Sequence, residues 1–187
     1  MAITYRETWE LKRRIEGLTI EKQDFTLIDL NAPICTAVHF INCIFDRTRF
    51  GDARLYGCDF TNCQFKRVDL TEATIGAHGG VFTSCIFDTC NFRKGYFYRP
   101  EFVECRFQQC KLNQIDFKAS SFAHCQFIGK LKDVTFHGKY NSDLTVGAKP
   151  NRMHNVDFSE AILQEVDFRD CQLDTCTLPD NTKLHHT

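Results

Sequence analysis

The 187-residue sequence has almost no net charge: 23 Lys and Arg face 24 Asp and Glu, leaving −1. A nucleic-acid-binding chain shows a basic excess, so no direct nucleic-acid binding is expected. No run of 18 apolar residues occurs, so no membrane-spanning helix is expected. Residues 1–20, MAITYRETWELKRRIEGLTI, are charged throughout and lack the apolar stretch of a secretory leader. The expected compartment is the cytoplasm, where thiols stay reduced. Also missing are the Walker lysine motif, the Rossmann glycine pattern, H-E-x-x-H and G-x-S-x-G. No enzyme activity, catalytic residue, cofactor or metal site is therefore expected.

What the sequence has in excess is phenylalanine, with 18, and cysteine, with 11. Both are set out at a period of five. From Phe25 to Ile75 a large apolar residue recurs at every fifth position. The phase slips by two across GAHGGV (76–81), resumes from Phe82 to Phe127, lapses, and returns from Phe158 to Leu178. Seventeen phenylalanines are such centres; only Phe136 falls outside the phase, although Val134 and Phe136 still look like one repeat side. Ten of the cysteines lie two residues before a centre, a register otherwise filled mostly by Val, Ala and Ile; Cys35 itself occupies a centre.

A period of five is neither helical nor that of a plain strand. A chain that turns a corner every five residues solves the problem. Each short side then points its centre and the residue two before it inward, and the other three outward. In this register CDFTN (58–62), CQFKR (63–67), VDLTE (68–72), CNFRK (90–94) and VDFRD (166–170) resemble the pentapeptide-repeat family, whose pattern is A/C-[DN]-[LF]-x-x. That resemblance implies an all-β fold, a right-handed quadrilateral parallel β-helix with four pentapeptides per coil. One such solenoid is expected over 18–178, interrupted by a bulge at 76–81 and an irregular insertion at 137–153. A polar tail follows at 179–187.

With four sides per coil, residues 20 apart stack. If GAHGGV loops outward, Cys43, Cys63, Cys85, Cys105 and Cys125 form one column, and Cys90 and Cys110 share another side. Three roles are open to these thiols: metal ligands, redox pairs or small buried hydrophobes. Zinc needs about four thiolates converging on one point, which a parallel column does not supply. Disulfides need Cβ atoms roughly 3.5–4.5 Å apart with suitable directions; stacked strands hold parallel Cβ vectors about 4.7–4.9 Å apart. An odd count of 11 also fits poorly with a closed disulfide framework. The balance favours a buried lining beside core rings such as Phe45, Phe65, Phe87, Phe92, Phe107 and Phe127.

An open β-helix end must be covered. Thr4-x-x-Glu7 matches a capping box and Gly17 a helix stop. A short capping helix over 4–16 is therefore expected within an N-terminal unit 1–17, with a dimer contact through Trp9 as the alternative. The chain is expected to be a monomer or a homodimer.

With the interior filled, function is expected on the outside. Arg54, Tyr56, Tyr96, Tyr98 and Arg99 combine aromatics with arginine, the composition of interface hot spots, and lie beside the bulge that carries His78. The insertion adds Lys139, Lys149 and Arg152. The expected function is a non-catalytic scaffold for an unidentified protein partner. The resemblance implies an alternative: a DNA-mimicking binder of DNA gyrase that gives quinolone or toxin protection. This chain lacks the pronounced acidity of such family members, and it lacks their apolar C-terminal dimerisation segment.

Overall fold

The computed structural model describes residues 14–139 and 151–180, and within them every strand pairing is parallel. Three-residue strands succeed one another around a four-sided coil. The first face holds Arg14–Glu16, Ile34–Thr36, Arg54–Tyr56, Thr74–Ala77, Tyr96–Tyr98 and Asp116–Lys118. The second holds Thr19–Glu21, His39–Ile41, Asp59–Thr61, Val81–Thr83, Glu101–Val103, Ser121–Ala123 and Met153–His154. Ile44–Asp46, Gln64–Lys66, Ile86–Asp88 and Arg106–Gln108 make the third. The fourth is held by single bridges linking Asp29, Arg49, Asp69, Asn91 and Lys111. Each three-residue strand is too short to bury more than its middle residue, whether its flanking residues are polar, as in Gln64–Lys66, or apolar, as at the exposed Ile44 and Ile86.

The corners have a common solution. Two residues after each centre the backbone turns left-handed, as at Lys22, Leu27, Ala37, Arg47, Asn62, Lys94 and Gln109, with φ between 49° and 56° at most and 64° at Leu27. An L-residue there costs roughly 1–2 kcal/mol. The conformation persists because it aims the corner N–H at the next coil: Lys22 N donates to Ile41 O, Leu27 N to Asp46 O and Arg47 N to Lys66 O, each at 2.8 Å. Several outward Asp and Asn residues brace the corners as well as solvate them. Asp24 Oδ1 accepts from both the backbone N–H and the hydroxyl of Thr26, and Asp69 does the same for Thr71.

Inside, the rings form columns. Phe25, Phe45, Phe65, Phe87, Phe107, Phe127 and Phe158 stack with near-parallel, offset rings along the third side at 4.7–5.0 Å. Phe40, Phe60, Phe82, Phe102 and Phe122 do so along the second at 4.7–5.1 Å. The two columns meet edge to face, as at Phe60–Phe65 (5.5 Å, 61°) and Phe102–Phe107 (5.3 Å, 73°). Both geometries are favoured by the ring quadrupole. One void between the rings measures about 10 Å³, at the lower limit for a single water.

Two expectations change, and a third holds. Arg14–Glu16, assigned to the end of a capping helix, is a strand whose Ile15 lies opposite Cys35. Tertiary pairing outweighs the local helix signal there, and the solenoid begins before residue 18; residues 4–13, with Trp9, lie outside the described residues. Val134 and Phe136 do form a repeat side: both are buried, and Phe136 is stacked on Phe117 at 5.1 Å and on Phe168 at 5.3 Å. The side from Phe127 to buried Leu131 is one residue short, so the five-residue phase is lost although the coil continues through the strand Gln126–His137. The insertion narrows accordingly: His137 is still in a strand, Met153 fills a centre opposite Phe122, and residues 140–150 lie outside the described residues.

Phe87→Ala should cost about 3–5 kcal/mol, read as a loss of unfolding free energy in denaturant. Leu27 is 67% exposed with φ 64°, so Leu27→Gly should relieve the left-handed strain. The net gain is expected to be about 0.5–1 kcal/mol after glycine's greater entropy in the unfolded chain; an unchanged or lower melting temperature would contradict this account of the corners.

Candidate functional site

The cysteines line the interior. Phe82 lies opposite Phe60 and Phe87 opposite Phe65, so the Gly76–Val81 bulge does absorb the two-residue slip and the five-thiol column is continuous. Each thiol of the column donates to the carbonyl of a centre residue one coil earlier: Cys43 to Ile20, Cys63 to Phe40, Cys85 to Phe60, Cys105 to Phe82 and Cys125 to Phe102, at 3.2–3.4 Å. Thr48 makes the same bond to Phe25 O at 2.8 Å. The register two before each centre thus takes either a small apolar residue or a donor that ties neighbouring coils together. All 11 thiols are free. Among the described residues no group of three or more His, Cys, Asp or Glu is arranged to hold a metal ion.

Burial pushes the thiols of Cys90 and Cys105 well up and that of Cys171 up to about 12. A buried thiol held protonated is a poor nucleophile.

The outer candidates gather on the first face. Tyr96 is 64% exposed and Tyr98 36%. The Arg99 guanidinium carbon lies 5.6 Å from the Tyr98 ring centroid. One coil earlier stand Thr74 and Ala77, and one before that Arg54 and Tyr56. Arg54 bonds Asp52 Oδ1 at 2.9 Å and reaches the Thr74 hydroxyl at 3.4 Å. His78 meets the Tyr56 ring edge to face at 5.6 Å. The bulge is built on two glycines that tolerate no side chain: a Cβ on Gly76 would lie 2.6 Å from Pro100 N, and one on Gly80 2.6 Å from Cys58 O. The structure therefore brings Arg54, Tyr56, His78, Tyr96, Tyr98 and Arg99 into one patch.

Lys139 and Arg152 stand apart from that patch. They line a cleft with Asn151, His154, Asp170 and Thr175, and Arg152 reaches Glu101 at 3.8 Å; Lys149 lies outside the described residues. Two further residues border the patch. Lys118 extends the row of Tyr98 by one coil. Asp116, beside Tyr96, is bound to His137 Nε2 at 2.7 Å; a contact between residues 21 apart becomes legible only once the shortened side is known.

Raised thiol pKa values make the fold sensitive to alkali. The folded state holds protons that the unfolded chain releases near the ordinary thiol value of 9.0, so stability is full below that pH and falls as pH rises towards 12. Melting temperature should decline from pH 8.5 to 10.5, and less steeply in Cys105→Val. In the native protein at neutral pH, the half-buried Cys171 and Cys176 should react with a thiol reagent before the fully buried thiols, yet more slowly than a free thiol because their pKa values are raised; labelling of Cys90 or Cys105 ahead of them would contradict the lining role.

The family profile described as "Pentapeptide repeats" matches in 8 copies over residues 34–71, 101–129 and 152–178, stopping on either side of both breaks. A search of curated proteins found no match. Solved structures similar to the chain include trypsin-treated QnrB1, a plasmid-mediated fluoroquinolone resistance protein (15% identity, 84% of this chain and 91% of that one, TM-score 0.38). HetL, involved in heterocyst differentiation regulation in the cyanobacterium Nostoc, is 13% identical over 95% of this chain and 96% of that one, with TM-score 0.40. Rfr23 from the cyanobacterium Cyanothece is 12% identical over 92% and 95%, with TM-score 0.34. Such distant likenesses say nothing of function. The profile and the five-residue coil geometry together show that the chain belongs to the pentapeptide-repeat family.

Proposed function

We propose that the protein is a non-catalytic scaffold that binds a protein partner through the first face of its solenoid. The observation that carries this reading is the exposed Tyr96, Tyr98 and Arg99 cluster on a backbone with nearly no freedom. Aromatic and arginine side chains on a rigid base lose little entropy on binding and supply most of an interface's energy. The filled interior offers no room for a substrate.

DNA mimicry aimed at gyrase is the less favoured reading, because acidic side chains are answered by bases across coils. Asp29 pairs with Arg49 (3.1 Å), Asp46 with Arg67 (2.8 Å), Asp59 with His39 (3.1 Å) and Glu72 with Lys94 (3.0 Å). Exposed pairs of this kind contribute little to stability, but they break up a continuous negative stripe.

Immobilised wild-type protein should retain at least one protein from its native cells that Tyr96→Ala/Tyr98→Ala does not. Identical recovery would remove the patch from consideration. Supercoiling by DNA gyrase, with and without a fluoroquinolone, should be unaffected by micromolar protein; inhibition or protection would restore the DNA-mimic reading.

A further inference from the structure

Five histidines fall within the described residues, and three of them meet a partner of another kind. His39 pairs with Asp59 at 3.1 Å and His137 with Asp116 at 2.7 Å, while His78 lies against Tyr56. His124 and His154 face each other instead, with ring centroids 5.4 Å apart and planes at 85°. Both residues are exposed.

The fold holds this pair across a break in the wall. His124 takes the left-handed corner position, with φ 55°, after the second-face strand Ser121–Ala123. The chain then leaves the first face after His137 and rejoins the second at Met153–His154. There Ala123 lies opposite His154, and His124 N donates to His154 O at 2.9 Å. Two residues distant in sequence are thus fixed as neighbours on adjacent coils.

The Nδ1 edge of each ring is turned to the wall. Nδ1 of His154 lies 3.4 Å from the Thr175 hydroxyl, and Nδ1 of His124 lies 3.4 Å from the Asn155 amide nitrogen. Thr175 is itself fixed, its hydroxyl accepting from Asn155 N at 3.0 Å. Neither Nε2 has a hydrogen-bond partner among the described residues. An imidazole whose Nδ1 is held by a polar neighbour presents an oriented Nε2, as metal-ligating histidines do. Thr175 Oγ1 is placed to accept the Nδ1–H of His154. For His124 the ring proton moves from Nε2 to Nδ1, and a half-turn of the Asn155 amide brings its oxygen round to receive it.

A metal–imidazole bond is about 2.0–2.1 Å long, so two such nitrogens on one ion lie roughly 3 Å apart. Rings with centroids at 5.4 Å reach that separation by small rotations. The surroundings also favour a cation. Glu104, whose N–H bonds Ala123 O, stands one coil before His124, and Asp174 lines the cleft beside His154. Arg152, in the same cleft, reaches Glu101. No third His, Cys, Asp or Glu converges with the pair among the described residues, so water completes the coordination shell. Imidazole suits zinc, copper and nickel, whereas magnesium takes oxygen ligands.

We infer that His124 and His154 form a two-histidine site for a divalent transition-metal ion, which clasps the wall across the break between His137 and Met153. The ion binds only the folded chain, because its ligands meet only there, and it therefore stabilises the coils on both sides. The site is on the second face and does not rest on the partner-binding reading of the first.

The test is a calorimetric titration of nickel(II), with magnesium(II) as the control, into the full chain carrying His185→Gln/His186→Gln to remove the tail histidines. One nickel ion per chain should bind in the micromolar range, and magnesium should give no heat of binding. His124→Gln and His154→Gln, added singly to that parent, should each weaken nickel at least tenfold while leaving the metal-free melting temperature unchanged. Nickel should raise the melting temperature of the parent and of neither variant. Nickel binding that survives both substitutions would place the ion elsewhere, on thiols for instance, and overturn the inference. Absence of binding at millimolar nickel, or equal binding of magnesium, would overturn it too. A ratio of one ion to two chains would do the same, by making the pair a bridge between copies.

Discussion

The structure depends on one coincidence of lengths. Parallel strands repeat at about 4.7–4.9 Å, and offset phenyl rings stack well at centroid distances from about 4.5 Å. One ring per side per coil therefore stacks without strain on the ring below, as the 4.7–5.0 Å column from Phe25 to Phe158 shows. Leucine fills a centre without the stacking, as at Leu30, Leu55, Leu70 and Leu112. The same spacing sets the thiol-to-carbonyl bonds between coils, because a residue two before a centre sits over the preceding coil's centre. Ladder, ring stack and thiol lining are three expressions of one repeat.

That dependence explains what could be read in the sequence and what could not. Centres and lining register follow from a strict period, so the columns through Phe45, Phe65 and Phe87 and through Cys43, Cys63 and Cys85 were legible residue by residue. Val134 and Phe136 were legible as a side, but not how they join the run before them, because a four-residue side from Phe127 to Leu131 breaks the count while leaving the coil intact. Arg14–Glu16 misled for the opposite reason: a local capping signal was strong, but Ile15 is in phase with Ile20 and Phe25, and burial against Cys35 decides its conformation. The bracing role of outward Asp residues was not legible, since their bonds within a turn, as from Thr26 and Thr71 to Asp24 and Asp69, need the corner geometry to be known. On the exterior, the tyrosine patch was legible as a group because a coil repeat places 54, 74 and 96 side by side; its relation to Lys118 and the His137–Asp116 pair was not.

Interior and exterior are nearly independent in such a fold. A side needs one large apolar residue, one small or thiol-bearing residue and a corner that tolerates a left-handed backbone; its remaining outward positions are unconstrained by packing. Charge can then alternate from coil to coil, as in the Asp29–Arg49 and Glu72–Lys94 pairs, without any effect on the core. Specific recognition can evolve on one face at little cost to stability, because repeat proteins couple only neighbouring units.

The two breaks bear on where such recognition is placed. The Gly76–Val81 bulge joins the first face to the second between Ile75 and Phe82, and the chain also leaves the first face after His137 to rejoin the second at Met153. Both departures therefore occupy the same corner, three coils apart, and the tyrosine patch lies on the face that this corner borders. A departure at a corner leaves both flanking ladders in register, as the pairings Phe60 with Phe82 and Phe122 with Met153 demonstrate. Within a side it would displace a ring from its column. Corners are thus the positions where extra residues cost least, and the two departures share a single edge of the rod. The glycines at Gly76 and Gly80, each too close to Pro100 or Cys58 to accept a side chain, fix how the bulge leaves the wall, so His78 is held against Tyr56 by backbone geometry.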